Sequence, residues 1–326
     1  MRPSLSTSRA LRACAGFAFT LCAAAAHAQA YPTKPIRIIV AAPPGGGQDN
    51  LVRLLTTNVG RDLGQAVVAE NRGAASGIVA SEMVAKSAPD GYTLLLGSNA
   101  TYVVNTATFA TLPYDPVKDF APIAQLSTQP FLLTVNPGVP ANSIAELVAL
   151  AKAQPGKLNY ATTGALTVLG MSFLNSSTGI RMQAVPYQGL GQAIPDVVGG
   201  RVEVLLGSLA TMIQQVRSGR LRALGITSQQ RSAMANEIPT IAEQGFPGYD
   251  VTVWTALAAP ASTPAAIINR LNAAVVKVLN SQETVDTLVK LGIEPTPSTP
   301  QQLGQRIQTE IARWQKVAKE AGITPQ

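Results

Sequence analysis

Residues 36 to 55 read IRIIVAAPPGGGQDNLVRLL. A mainly apolar run, Ile36 to Val40, leads through Pro43-Pro44 and three glycines, Gly45, Gly46 and Gly47, into a segment that opens on Gln48-Asp49. Leu51, Leu54, Leu55, Val59 and Leu63 then recur at helical spacing. A strand, a glycine corner and a helix in that order make one half of an α/β unit. The prolines end the strand, the glycines allow torsions that other residues avoid, and the helix starts near Gln48. The first turn of a helix leaves backbone N–H groups unpaired at the positive end of its dipole. With no side chains on the three glycines, a carboxylate or phosphate can touch that backbone directly, gaining about 0.3 to 2 kcal/mol from the dipole besides its hydrogen bonds.

Nucleotide fingerprints do not fit this corner. A G-x-G-x-x-G begun at Gly45 meets Asn50 in the sixth place, and no P-loop lysine follows the glycines. Asp49 reads either as a cap that orders the first turn or as an acceptor for a donor on a ligand. The corner as a whole can also be a tight turn that holds nothing.

The same alternation continues along the chain. Further candidate strands are Ala66 to Ala69, Tyr92 to Leu96, Phe131 to Val135, Leu158 to Ala161, Gln183 to Val185, Val202 to Leu206, Leu221 to Ile226 and Val251 to Ala258. Helical patterns lie between most of them, as at Ile144, Leu147, Val148 and Leu150. The repetition predicts parallel-type sheets flanked by helices. The proline-rich stretches 129 to 140 and 239 to 247 mark where the chain crosses between two such units and returns. From Thr263 onward the pattern is helical, with Pro264 in a first turn, one stripe of Leu271, Val275, Val278 and Leu279, and another of Ile307, Ile311, Trp314 and Val317. This tail is expected to pack back on the first unit.

Residues 1 to 30 read as a secretory signal, with Arg2, Arg9 and Arg12 ahead of an apolar run and a small-residue site, Ala28-Gln29-Ala30, cleaved after Ala30. Cys14, Cys22 and His27 all lie inside it, so the expected mature chain has neither cysteine nor histidine. That removes disulfides, thiolate or imidazole metal ligands and every histidine-based triad. Losing three arginines takes the formal charge from +7 to +4, too small and too scattered a basic excess for nucleic acid. Charged residues at 13% and hydrophobic ones at 46% indicate a packed globular chain.

Three more loops after candidate strands carry small polar residues: Gly97-Ser98-Asn99, Thr162 to Thr167 and Gly207-Ser208. Each is an ordinary helix cap or a donor at the carboxyl end of a parallel sheet, where such sheets bind ligands. There is no G-x-S-x-G elbow. An enzyme would have to work with a carboxylate pair, Asp49 with Glu70 or Asp196, while Asp62, Asp90 and Glu203 read as solvated surface.

With these residues in view, the chain resembles the periplasmic solute-binding proteins of tripartite tricarboxylate transporters, the Bug family. The likeness runs from YPTKPIRIIV at Tyr31 through PPGGGQDNLVRLL, VVAENRGAASG, APDGYTLLLGS, LPYDPVKDFAPI, AKAQPGKLNYATTG, VPYQGLGQAIPDVVGGRVEV, SGRLRALGITSQQR, IPTIAEQGFPGY and RLNAAVVKVL. The resemblance implies a monomeric two-lobed venus-flytrap fold, lobe 1 from residues 31 to 134 and 250 to 326, lobe 2 from 135 to 249, with the C-terminal helices on lobe 1. It implies a non-enzymatic clamp without cofactor or metal that hands a small carboxylate to the membrane permease subunits of such a transporter. The residues matching the clamp are Gly45, Gly46, Gly47, Gln48, Asp49, Ser98 and Asn99 on one lobe. Thr163, Gly164, Ala165, Leu166, Thr167, Tyr187, Gly207 and Ser208 match it on the other. The same clamshell also serves sensing modules that dock on a membrane sensor, which is the alternative role.

Departures from the family pattern are informative. Leu166 replaces a glycine in the ligand loop, Gly170 stands at a position usually histidine, and Gly207 stands where many members carry an aspartate that would pair with a ligand amine. An acid with an apolar body, an aromatic acid or an aliphatic dicarboxylate, is therefore expected over an amino acid. Gly73, in place of a usual proline, is expected to loosen its turn without functional change.

Overall fold

The computed structural model describes residues 31 to 325, so the expected export signal and its expected cleavage point lie outside the described residues. β1 (Ile36–Val40) pairs in parallel with β2 (Val67–Asn71) and β3 (Thr93–Ser98). Ile36, Ile38, Ile39 and Val40 are all buried, as a strand covered on both faces requires. Arg37 alone stays exposed, donating to Glu70 at 2.7 Å. α1 (Gly47–Leu63) buries Leu51, Val52, Leu55, Val59 and Leu63, and ends on Gly64 in the left-handed conformation (φ 71°) that glycine adopts without penalty. α2 (Ile78–Ala85) follows β2, and an irregular turn, Ala100–Val104, links β3 to the short α3 (Asn105–Thr108).

β4 (Phe120–Val135) joins two sheets. Its first part runs antiparallel to β9 (Thr252–Pro260), from Phe120 opposite Pro260 to Pro130 opposite Thr252. From Phe131 to Val135 it pairs instead with β7 (Val204–Ser208) and β8 (Arg222–Ile226). β9 continues the first sheet beside β3, and the two-residue β10 (Glu294–Pro295) adds to β4. In the second sheet β5 (Asn159–Thr162) lies parallel to β7 and to β6 (Gln183–Pro186). Around it are α4 (Ile144–Ala153), α5 (Ala165–Thr178), α6 (Leu190–Val198) and α7 (Leu209–Arg217). The result is the expected α/β fold of two lobes joined by crossing strands.

At the crossing, Thr227 ties both strands together. Its hydroxyl accepts from Phe131 N–H at 2.9 Å and donates to Val251 O at 2.5 Å, while Val251 N–H donates back to Thr227 O at 3.1 Å. All nine expected strands are present, eight of them within a few residues of their expected ends and the ninth, Phe131 to Val135, as the last part of the longer β4. Phe120 to Pro130, however, forms a strand that sequence reading missed. Pro122, Pro130 and a polar run at Ser127 to Gln129 interrupt the apolar pattern, and the structure absorbs them with register shifts after Pro122 and after Gln125.

The tail contains α8 (Ala265–Leu279), α9 (Gln282–Lys290) and α10 (Pro300–Glu320). Pro264 caps α8 from outside its first turn. α8 buries Leu271, Val275, Val278 and Leu279 in one core with Leu51, Leu55 and Ile123, as expected of a helix on the first lobe. α10 also packs on the first lobe, where Glu310 meets Trp254 of β9, and reaches the second lobe besides. Trp314 meets Phe173 of α5 edge-on, with ring centroids 6.2 Å apart. A capping box starts the helix: Thr299 N–H donates to Gln302 Oε1 at 2.9 Å and Gln302 N–H to Thr299 Oγ1 at 3.2 Å. Among the described residues no helix is long and apolar enough to cross a membrane.

The acidic residues read as solvated are all engaged. Asp62 meets Lys277 at 2.5 Å, Asp90 meets Lys34 at 3.2 Å, and Glu203 accepts Asn159 N–H at 2.8 Å. Their partners come from distant parts of the chain, which local sequence does not reveal.

Candidate functional site

The glycine corner sits at the carboxyl end of β1. Gly45 takes a left-handed φ of 83°, and Gly46 is the extended residue that caps α1. Asn50 N–H donates to Gly46 O at 3.0 Å, closing the first helical turn and leaving the Gly47 and Gln48 amides at the positive end of the helix. A Cβ built on Gly46 would meet only Pro43 O, at 3.9 Å, so the space above this glycine is open. One built on Gly47 would lie 3.1 Å from Gln129 Nε2 of β4.

Asp49 fulfils the ordering role. Its Oδ2 accepts Gly45 N–H at 2.9 Å and Arg53 Nε–H at 3.0 Å. The Arg53 hydrogen bond first, then that from Gly45, hold its carboxyl below the usual range, with Asn71 adding to the effect. No group stands in hydrogen-bond geometry to Oδ1, and the neighbouring Gln48 Oε1 is likewise buried without a partner. The corner therefore offers amide donors, with two acceptors without a partner buried behind them.

Ser98 and Asn99, at the end of β3, are buried. Ser98 pairs with Thr255 in the sheet, and Asn99 Nδ2 donates to Thr252 O at 3.0 Å, tying this loop to the crossing strand. Beside them, the segment 73 to 77 is pressed onto the corner. A Cβ on Gly73 would fall 2.2 Å from Pro43 N, so a glycine is needed where the two backbones meet. Ala75 and Ser76 take φ of 49° and 54°, a conformation costing non-glycine residues about 1 to 2 kcal/mol each, and Asn105 Nδ2 donates to Ser76 O at 3.2 Å.

On the second lobe the threonine loop is organised by Thr167. Its hydroxyl donates to Gly164 O at 2.8 Å, accepts Thr163 N–H at 3.1 Å and lies 2.7 Å from Thr162 Oγ1. Thr162 and Thr167 thus spend their hydroxyls on the loop, while Gly164 and Ala165 are exposed at the start of α5. Leu166 turns partly toward the core. Tyr187 N–H donates to Thr162 O at 2.9 Å, which places Tyr187 beside this loop. Its hydroxyl donates to Asp196 at 2.7 Å, an arrangement that raises the tyrosine pKa and lowers that of Asp196, which Arg201 also contacts. Ser208 donates to Thr211 Oγ1 at 2.8 Å.

Gly207 is buried, and a Cβ there would lie 2.7 Å from Met212 Cγ and Sδ. Gly170 is similarly closed, by Val251 at 2.7 Å from its built Cβ. The two glycine departures are therefore packing positions in this chain. Asp49, Glu70 and Asp196 hold separate arginines, Arg53, Arg37 with Arg72, and Arg201, and none bonds to another.

The two sets approach each other. A Cβ on Gly47 would lie 3.9 Å from Ile293, and one on the adjacent Gly292 would lie 2.5 Å from Ala210, two residues beyond Ser208. Ala100 and Ala165 line one cavity from opposite lobes. Sequence reading missed Gln129, because its strand was missed, and Ser76 and Asn105, whose proximity to the corner arises only on folding.

The family model described as tripartite tricarboxylate transporter family receptor matches residues 51 to 323. Protein BugT of Bordetella pertussis is 36% identical over 303 residues, covering 92% of this chain and 93% of BugT. An R. palustris protein solved with adipate is 34% identical, with a TM-score of 0.71, covering 91% of this chain and 100% of that one. MatC from Rhodopseudomonas palustris with bound malate is 32% identical, with a TM-score of 0.67, covering 88% and 100%.

Proposed function

Because the chain belongs to the tripartite tricarboxylate transporter receptor family, we propose that it captures a small carboxylate in the periplasm and delivers it, as a monomer, to the permease subunits of such a transporter. The family consists of periplasmic solute-binding proteins and not of enzymes. Adipate and malate, bound by two similar proteins, are both carboxylates. In this reading residues 1 to 30 are the signal, removed after Ala30. Residues 31 to 134 with 250 to 326 form one jaw and residues 135 to 249 the other, hinged where Thr227 ties Phe131 to Val251.

The observation that carries this reading is the open backbone at Gly46, with the Gly47 and Gln48 amides beside it and Asp49 fixing the loop from behind. One carboxylate group sits there, aided by water at the spare acceptors Asp49 Oδ1 and Gln48 Oε1. Gly164 and Ala165 at the start of α5 close from the other side, with Ser98, Asn99, Thr163, Leu166, Thr167, Tyr187, Gly207 and Ser208 shaping the walls. Since Gly207 supplies no carboxylate for a ligand amine, an aromatic acid or aliphatic dicarboxylate is favoured over an amino acid. Calorimetric titration with panels of aromatic acids, aliphatic dicarboxylates and amino-dicarboxylates tests this. Heat from the first two panels is expected, and heat from amino-dicarboxylates alone would overturn it.

A further inference from the structure

A cavity of about 350 Å³ is walled by residues of both lobes. Two loops that hold the solute in the reading above also wall this space, and the segment pressed onto the glycine corner adds a third side. Ala100 follows Asn99, Ala165 lies in the first turn of α5, and Ser76 belongs to the segment whose Gly73 abuts Pro43. Beyond them the wall is mostly apolar, with Val104 and Phe109 from the first lobe, Val168 and Leu169 from α5 and Ile323 from the tail after α10, and its remaining polar groups are the uncharged Asn105, Thr108 and Thr324. No lysine, arginine, aspartate or glutamate lines it. Its volume is within the range of small-molecule sites, and its mainly apolar wall with few polar groups is typical of them.

A second carboxylate placed in this space would be desolvated without a cation to meet it, whereas methylene or ring carbons would only leave water. We propose that this cavity is the subsite for an uncharged apolar body, which makes the preferred ligand a monocarboxylate carrying an alkyl or aromatic group. The inference rests on the carboxylate-binding reading and narrows it. Val168 and Ile323 are the residues that set body length, Val168 one turn into α5 and Ile323 from the tail.

The test is calorimetry on the full mature chain with linear monocarboxylates from acetate to octanoate, phenylacetate, succinate and adipate. Affinity should rise about fourfold per added methylene until the cavity is full, and hexanoate should bind more tightly than adipate. Val168→Phe should abolish the gain with length while leaving acetate within about twofold of the native protein, and Ile323→Ala should move the optimum to a longer chain. Adipate binding as tightly as hexanoate, or a length gain that survives Val168→Phe in folded protein, overturns the subsite. If Val168→Phe does not fold, the native comparison of hexanoate with adipate decides alone. Heat from dicarboxylates only would sink the subsite and keep the carboxylate reading; heat from none of these acids would sink both.

Discussion

Ser232, just beyond β8 in the second lobe, donates its hydroxyl to Glu294 of β10 in the first, a hydrogen bond that spans the two lobes. Burial lifts the Glu294 carboxyl above its ordinary value of 4.5, against the opposing pull of hydrogen bonds from Ser232 and Ala233 N–H. A carboxyl with a raised pKa in the folded state binds its proton more tightly there than when unfolded. Its contribution to stability is full below about pH 4.5 and fades as pH rises through the raised value. Glu294→Gln keeps the group neutral, so its melting temperature should vary less with pH above 4.5 than that of the native protein. Parallel melting curves for the two proteins would show that Glu294 does not couple the lobes to pH.

Asp49→Ala should weaken carboxylate binding by about tenfold or more, because the Gly45 amide and the Arg53 guanidinium both lose their acceptor and the corner loosens. Native affinity in a titration would reduce Asp49 to a dispensable cap.

Gly46→Val places a branched side chain in open space, the nearest atom to its Cβ being Pro43 O at 3.9 Å. The fold should persist by circular dichroism while binding is lost. A variant that binds normally would move the anion seat elsewhere.

Gly207→Asp introduces a carboxylate at the end of β7, yet its Cβ would collide with Met212 at 2.7 Å. Overpacking of this kind costs about 1 to 3 kcal/mol, and burying the carboxylate adds to it. Urea unfolding should show that loss, with no gain of amino-acid binding. Tight binding of aspartate or glutamate by a stable Gly207→Asp protein would contradict the packing account.

Glu310 accepts Trp254 Nε1–H at 2.9 Å and Arg306 Nε–H at 2.8 Å, while Arg306 also reaches Gln125 on β4 and Thr252 on β9. Glu310→Ala leaves the buried Trp254 Nε1–H and the half-buried Arg306 Nε–H without their acceptor beside the crossing strands. A loss of about 3 to 5 kcal/mol is expected in denaturant unfolding, larger than for an exposed pair such as Lys86 with Glu82.

The sequence by itself determined the alternation of strand and helix and the corner at Gly45 to Gly47. Strands covered on both faces must be continuously apolar, as in β1, and a chain that turns tightly into a helix must spend glycines there. The tertiary structure alone decided the rest. It made Phe120 to Pro130 a strand despite its prolines, because β9 and two register shifts accept them, and so brought Gln129 to Gly47. It laid α10 across both lobes, because a helix stripe records that a face is buried and not against what. It also spent the Thr167 and Tyr187 hydroxyls on the protein itself, turned Gly170 and Gly207 into packing positions, and gathered Ser76, Ala100, Val168 and Ile323 around one cavity. The strand pairing, the α10 packing and the cavity join residues far apart in the chain, and even the nearby partners of Thr167, Tyr187 and Gly207 are set by the folded backbone path, of which local propensity carries no record.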